Sequence, residues 1–196
     1  MSMTDLARAA GLAEPRRYVV DWARVEAELG TRLPADYKEY VYWFGPGNSS
    51  DYFVVCVPGV ENSNVEFMAN LRKEAEDYRS WNAGNQRPPV SVPFFSDPGG
   101  RLPFLFTTEG CAVFWITDGD DPDSWKIGSR TRLWDVQRFE GGFTEFLREA
   151  LWDTVELEAI PAYDDEPPLQ FRPNDGLWRG GGGRRLEAYG SFLPTE

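Results

Sequence analysis

The densest run of possible ligand oxygens is Asp118-Gly119-Asp120-Asp121-Pro122-Asp123. Carboxylates this close could ligate a hard cation. A helix-flanked calcium loop needs glycine at its sixth position and a closing glutamate at its twelfth. Counting from Asp118, those positions hold Asp123 and Ser129, so the pattern fails and no metal site is expected. Histidine is absent from the chain, which removes the commonest general base and the commonest transition-metal ligand. Ser/His/Asp and Cys/His catalysis are thereby excluded. Cys56 and Cys111 stand far apart in apolar runs, FVVCV and CAVFW. They read as buried free thiols or as one disulfide between neighbouring strands, not as a zinc pair. The glycine run Gly180–Gly183 lacks the Lys-Ser/Thr ending of a phosphate loop and reads as a linker. No catalytic residue and no cofactor is expected.

What remains is charge. The chain carries a net charge of -12, and residues 111–170 hold fourteen acids against five bases. Such a molecule is repelled by nucleic acid and by anionic membranes, and it attracts basic proteins. Arg179, Arg184 and Arg185 beside Trp178 have the composition of an RNA-binding tail, but the overall acidity opposes that use. The candidate partner-binding residues are therefore Asp118, Asp120, Asp121 and Asp123, with Trp125 as an aromatic anchor and Asp164, Asp165 and Glu166 extending the face. The competing reading makes the same acids a solvated turn and Trp125 a core residue.

The elements that would position these residues can be read from pattern. Asp21 caps a helix with Trp22, Val25 and Leu29 on one face, and Gly30 stops it. Leu33-Pro34 opens a second helix, with Tyr37, Tyr40, Val41 and Phe44 as its apolar stripe and Gly45-Pro46-Gly47 as its end. A strand over 52–57 follows. Ser63 and Glu66 have the spacing of a capping box for a third helix burying Phe67, Leu71, Ala75 and Tyr78. After a loop at 82–93, strands are expected at 92–95, 102–107, 112–117, 125–127 and 132–139. Phe143, Phe146, Leu147, Ala150 and Leu151 give a final amphipathic helix.

Residues 1–17 read as a flexible lead-in or a short helix. Residues 156–196 read as a loosely packed acidic, proline- and glycine-rich extension, with a turn signal at Asn174-Asp175-Gly176. The helices, strands, helix order argues for an α+β fold with a mostly antiparallel sheet. No stretch reaches the roughly 20 apolar residues of a membrane span, and the N-terminus lacks the apolar core of a secretory signal. A cytoplasmic location is expected.

Two segments resemble the SUKH superfamily, the Smi/Knr-like proteins. In VDWARVEAELGTRLPADYKEYVYWFG the resemblance rests on Trp22, Glu26, Leu29, Gly30, Leu33, Pro34, Asp36, Tyr37 and the closing Gly45. The second segment is TTEGCAVFWITDGDDPDSWKI with GGFTEFLREAL, whose helix carries Phe143, Phe146 and Leu147. Together they span residues 18–155, taken as one SUKH-like domain. The resemblance implies N-terminal helices, a central antiparallel sheet, a C-terminal helix and no enzymatic activity. It also implies a protein partner: a cognate toxin, often a nuclease, for immunity proteins, or the cell's own proteins for regulators of cell-wall synthesis.

Overall fold

The computed structural model describes residues 1–83, 92–160, 162–173 and 183–194. Five helices occur among these residues: α1 (Met3–Ala9), α2 (Trp22–Leu29), α3 (Ala35–Phe44), α4 (Phe67–Ala83) and α5 (Phe143–Leu151). The strands are β1 (Tyr18–Val19), β2 (Gly47–Ser49), β3 (Phe53–Val55), β4 (Gly100–Thr107), β5 (Ala112–Thr117), β6 (Lys126–Arg130), β7 (Val136–Phe139), β8 (Phe171–Pro173) and β9 (Ser191–Phe192). Seven of them form one antiparallel sheet, ordered β7-β6-β5-β4-β3-β2-β8, and β1 pairs with β9 separately. The fold is α+β, as the order of sequence patterns predicts.

Register divides the sheet into two faces, because successive strand residues point to opposite sides. Leu102, Trp115 and Ile127 stand side by side across β4, β5 and β6 and face α3 and α5. There Tyr37 packs edge-on against Trp115 and Phe143, with ring centroids 5.1 and 5.6 Å apart. Tyr37 donates its hydroxyl hydrogen to the Cys56 carbonyl at 2.6 Å, so its polar atom is satisfied where no water reaches. Arg101, Phe114 and Arg130 point to the opposite face, where the C-terminal half of α4 lies.

Helix ends are set partly by local residues and partly at long range. Asp21 accepts from the Arg24 N–H, and Gly30 closes α2 with φ 75°, a conformation costly for a side chain with a Cβ. Pro34 begins α3 but has no side chain to cap it. Asp123, from the turn after β5, accepts the Ala35 N–H at 2.6 Å instead. Gly142 likewise leaves α5 uncapped, and Asp36 accepts from both the N–H and the Oγ1 hydroxyl of Thr144, at 3.0 and 2.9 Å. The resemblance segments are thus cross-linked: an acid from the sheet turn starts α3, and an acid in the first turn of α3 starts α5.

Two open readings are decided, for residues 1–17 in favour of a short helix and for the cysteines in favour of buried thiols, and several expectations are revised. Residues 1–17 hold a helix, α1, opened by a reciprocal Ser2–Asp5 cap and burying Met3, Leu6 and Ala7 against the same core as the sheet. Part of the described tail is packed as well. Leu157, Ile160, Leu169 and Phe171 join that core, and β8 pairs with β2, so no gap marks the division expected near 155. Residues 92–95 make a single bridge between Phe94 and Arg101, not a strand. Residues 132–135 form the turn before β7. The Ser63–Glu66 capping box does not form: Glu66 accepts the Ala69 N–H by itself, and Ser63 Oγ accepts from the Arg184 N–H. Cys56 and Cys111 are buried free thiols. The turn signal at Asn174–Gly176, Trp178, Arg179, most of the Gly180–Gly183 run and most of the 82–93 loop lie outside the described residues.

Candidate partner-binding surfaces

The four aspartates of the turn after β5 have separate uses. Asp118 and Asp120 are exposed, with no side-chain partner among the described residues. Asp121 caps a single 3-10 turn, Pro122–Ser124, by accepting the Asp123 N–H, and its carboxylate lies 3.7 Å from the Arg32 guanidinium. Both side chains of that pair are well exposed, so it contributes at most about 1 kcal/mol. Asp123 caps α3, as described above. Trp125 is 5% exposed, and its ring N–H donates to the Gly119 carbonyl at 3.2 Å. It is therefore a strut beneath the turn and not an exposed anchor: the alternation of β6 turns its indole into the core beside Ile127. The turn is held from below by Trp125 and from the side by Asp121 and Asp123, and it projects Asp118 and Asp120.

Asp164, Asp165 and Glu166 are exposed too, but they do not extend this face. The Asp164 N–H donates to Tyr52 Oη, and the Tyr52 carbonyl accepts from Thr108, beside the turn that joins β4 to β5. Asp118 follows the other end of β5, a strand of six residues. The two acidic groups are separated by the strand's length, about 20 Å at ~3.3 Å per residue. Charge counting placed them in one stretch of sequence, and the antiparallel sheet sends them to opposite ends.

Sequence reasoning missed a buried polar cluster under α4. Glu74 accepts from Nε of Arg130 at 2.7 Å and closes a second, shorter bond to Nη2. Arg130 Nη1 donates to the Gly110 carbonyl. Arg101, 1% exposed, has no hydrogen-bond acceptor among the described residues for any of its three guanidinium nitrogens. Aromatic rings surround it instead, with Tyr78 and Trp134 centroids 4.7 and 4.9 Å from Cζ. Trp134 also receives Arg130 at 4.4 Å, so its ring contacts two cations. Burial lowers the Arg101 pKa to about 10, against the pull of Glu74, and leaves it charged at neutral pH. The available signal was a charge on each apolar stripe: Glu74 lies three residues from Leu71 and four from Tyr78, and Arg101 opens a strand of apolar residues.

Glu66 is a second buried acid. It accepts from Ala69 and Gly59 N–H groups at 2.6 and 3.2 Å and lies 3.4 Å from Tyr189 Oη. Burial raises its pKa, and the two backbone donors oppose the rise. It joins the start of α4 to the C-terminal segment, where Tyr189 and Gly190 N–H groups donate to the Gly59 carbonyl. Gly59 has φ 79°, and a Cβ there would lie 2.6 Å from the Gly190 nitrogen, so that close approach requires glycine.

Among the described residues, no group of three or more cysteines and carboxylates is placed to hold a metal ion. No helix among them is long and apolar enough to cross a membrane.

The residues that carried the SUKH resemblance occupy structural positions. Leu29, Leu33, Tyr37, Phe143, Phe146 and Leu147 are buried, Gly30 and Gly45 end their helices, and Pro34 starts α3. Trp22 is half-buried, edge-on to Tyr37 with Lys38 over its ring. In comparisons with known proteins, no curated protein and no solved structure matches the chain. The profile of the SMI1 / KNR4 family (SUKH-1) matches residues 19–149, more than half of the chain, and takes in α2 through most of α5. The chain belongs to the SMI1 / KNR4 family (SUKH-1).

Proposed function

We propose that this chain is a non-catalytic protein-binding protein of the cytoplasm, an immunity protein that occludes a basic cognate toxin. The observation that carries the reading is the acidic turn. Asp118 and Asp120 face solvent on a loop whose other side chains are spent on holding it still. A pre-organised charged loop loses little freedom on binding and steers an oppositely charged partner into place. Support also comes from the family and from the sequence, which has no histidine and a net charge of -12. Occlusion of this kind requires no particular chemistry of the toxin, a nuclease among the options.

The test is calorimetry and stopped-flow association against the product of the neighbouring gene, at low and raised salt. Tight binding that weakens with salt, with association slowed in Asp118→Asn/Asp120→Asn and dissociation little changed, is the expected result. Absence of binding at either salt removes that partner. A salt-insensitive complex unaffected by the double variant removes the acidic turn as the interface. A second reading, a scaffold for the cell's own proteins, is favoured by one observation: the groove along α4 carries charge of the opposite sign to the turn. Pull-down of housekeeping proteins from a cell with no neighbouring toxin gene would support it.

A further inference from the structure

Along one side of α4 run two adjoining cavities, about 700 and 400 Å³, which share Asp77, Gly110 and Arg130 in their walls. The first begins near Ser63 and Arg184 at the start of α4, and the second reaches Trp81 and Trp134 near its end. α4 has 17 residues. At ~1.5 Å per residue it is about 25 Å long, the span of about seven residues of extended chain. Val54 and Phe106, from the α4 face of the sheet, give the groove an apolar floor.

Its charge is opposite to that of the molecule. Arg72, Lys73, Arg130, Arg132 and Arg184 line it, against the carboxylates of Glu74, Glu76 and Asp77. Glu74 is spent on Arg130, and Arg72 is 2.7 Å from Glu28. Lys73, Arg132 and Arg184 have exposed side chains that make no hydrogen bond or ion pair with any described residue. Arg101, buried behind the Trp134 ring with no acceptor and no ion pair of its own among the described residues, adds a fixed positive charge beneath one end. Two further costs sit at that end: Trp134 holds a left-handed φ of 66°, and the adjacent Leu133 is 72% exposed. An orphan cation, a strained aromatic residue and a bare leucine in one place are features that folding alone does not select.

We propose that this groove binds an extended acidic segment of a partner protein. Its alternate side chains would lie on Val54 and Phe106, and its carboxylates would meet Lys73, Arg132 and Arg184. The inference does not depend on the acidic turn, which leaves the opposite end of β5 from Gly110.

The experiment uses the full chain and a fluorescein-labelled eight-residue peptide of alternating glutamate and valine. A lysine–valine counterpart serves as the control probe, and fluorescence anisotropy at low salt is the readout. The acidic peptide is expected to bind and the basic one not to. Lys73→Glu/Arg132→Glu/Arg184→Glu, three exposed positions, is expected to weaken binding at least about tenfold with an unchanged thermal melt. Asp118→Asn/Asp120→Asn should leave it unaltered. Amide chemical shifts should move at α4, Thr107–Gly110 and Arg130–Trp134. No binding of the acidic peptide, equal binding of both peptides, indifference to the triple charge reversal, or shifts confined to other elements would each overturn the proposal.

Discussion

Changing Glu74 to Gln would leave two guanidinium groups in the aromatic enclosure under α4 with no counter-charge. In the native protein Glu74 accepts two bonds from Arg130, and both side chains are nearly inaccessible. Removing one partner of a buried pair costs about 3–5 kcal/mol, because the other charge stays desolvated. At ~2–4 °C per kcal/mol for a domain of this size, the melting temperature should fall by about 6–20 °C. Arg101 tests the same reasoning with the opposite sign. It makes no hydrogen bond with any described residue, and its charge is the surplus one in a cluster of two cations and one carboxylate. Arg101→Met keeps an unbranched side chain and removes a desolvation cost of several kcal/mol. It loses ring contacts worth ~2 kcal/mol or more each when desolvated, chiefly with Tyr78 and Trp134. These oppose one another, so the substitution should lie within about 1 kcal/mol of neutral. In the double variant it should recover part of the Glu74→Gln loss. Thermal and urea melts followed by tryptophan fluorescence measure all three variants. If Arg101→Met alone costs as much as Glu74→Gln, the surplus-charge argument is wrong.

Asp36→Ala removes the acceptor of two Thr144 bonds and should cost about 1–2 kcal/mol, with amide exchange accelerated first in the opening turn of α5; uniform exchange across the chain would contradict a local cap. Glu66 has its carboxyl pKa raised by burial above the ordinary 4.5, so the folded state keeps that proton to higher pH than the unfolded chain. Its contribution to stability is complete below 4.5 and is lost as pH rises through the raised value. Glu66→Gln should flatten that part of the stability–pH curve, and an unchanged slope would assign it to another group. Cys56 is buried and its thiol is pushed well above the ordinary range, and Cys111 is buried too. Native protein should therefore react with a thiol reagent only at its unfolding rate, whereas rapid labelling of either would show an opening that this fold does not contain.

The elements that were legible carry their punctuation within themselves. Asp21, Gly30, Pro34 and Gly45 bound α2 and α3, and β4 and β5 are long apolar runs with glycine turns on either side. β2 and β8, three residues each, exist because Gly47–Ser49 finds Phe171–Pro173 across most of the chain, a pairing that no window of sequence contains. In α1 and its C-cap, Met3, Leu6, Ala7 and Ala10 do have helical spacing, but two of the four are alanines and offer little apolar area to notice. For the site, the carboxylate run was legible as charge. Which of its members face solvent was not, because that depends on Ala35 and Arg32 arriving from elsewhere and on Trp125 folding back onto Gly119. The groove along α4 was invisible for the same reason, since its cations come from a helix, a strand, a turn and the C-terminal segment.

The pairing of β9 with β1 sets an order on biosynthesis. Ser191 and Phe192 lie opposite Val19 and Tyr18, and Phe192 packs on Tyr18 with Arg16 over its ring. A ribosome makes β1 before β2 through β8 and β9 after them, so this seam closes only once those strands have been made. Until then Tyr18, buried in the finished protein, lacks the cover that Phe192 and Gly190 provide. A nascent chain stalled before β9 should carry most of the sheet yet expose this aromatic seam, making it a substrate for chaperones and proteases that the folded protein escapes.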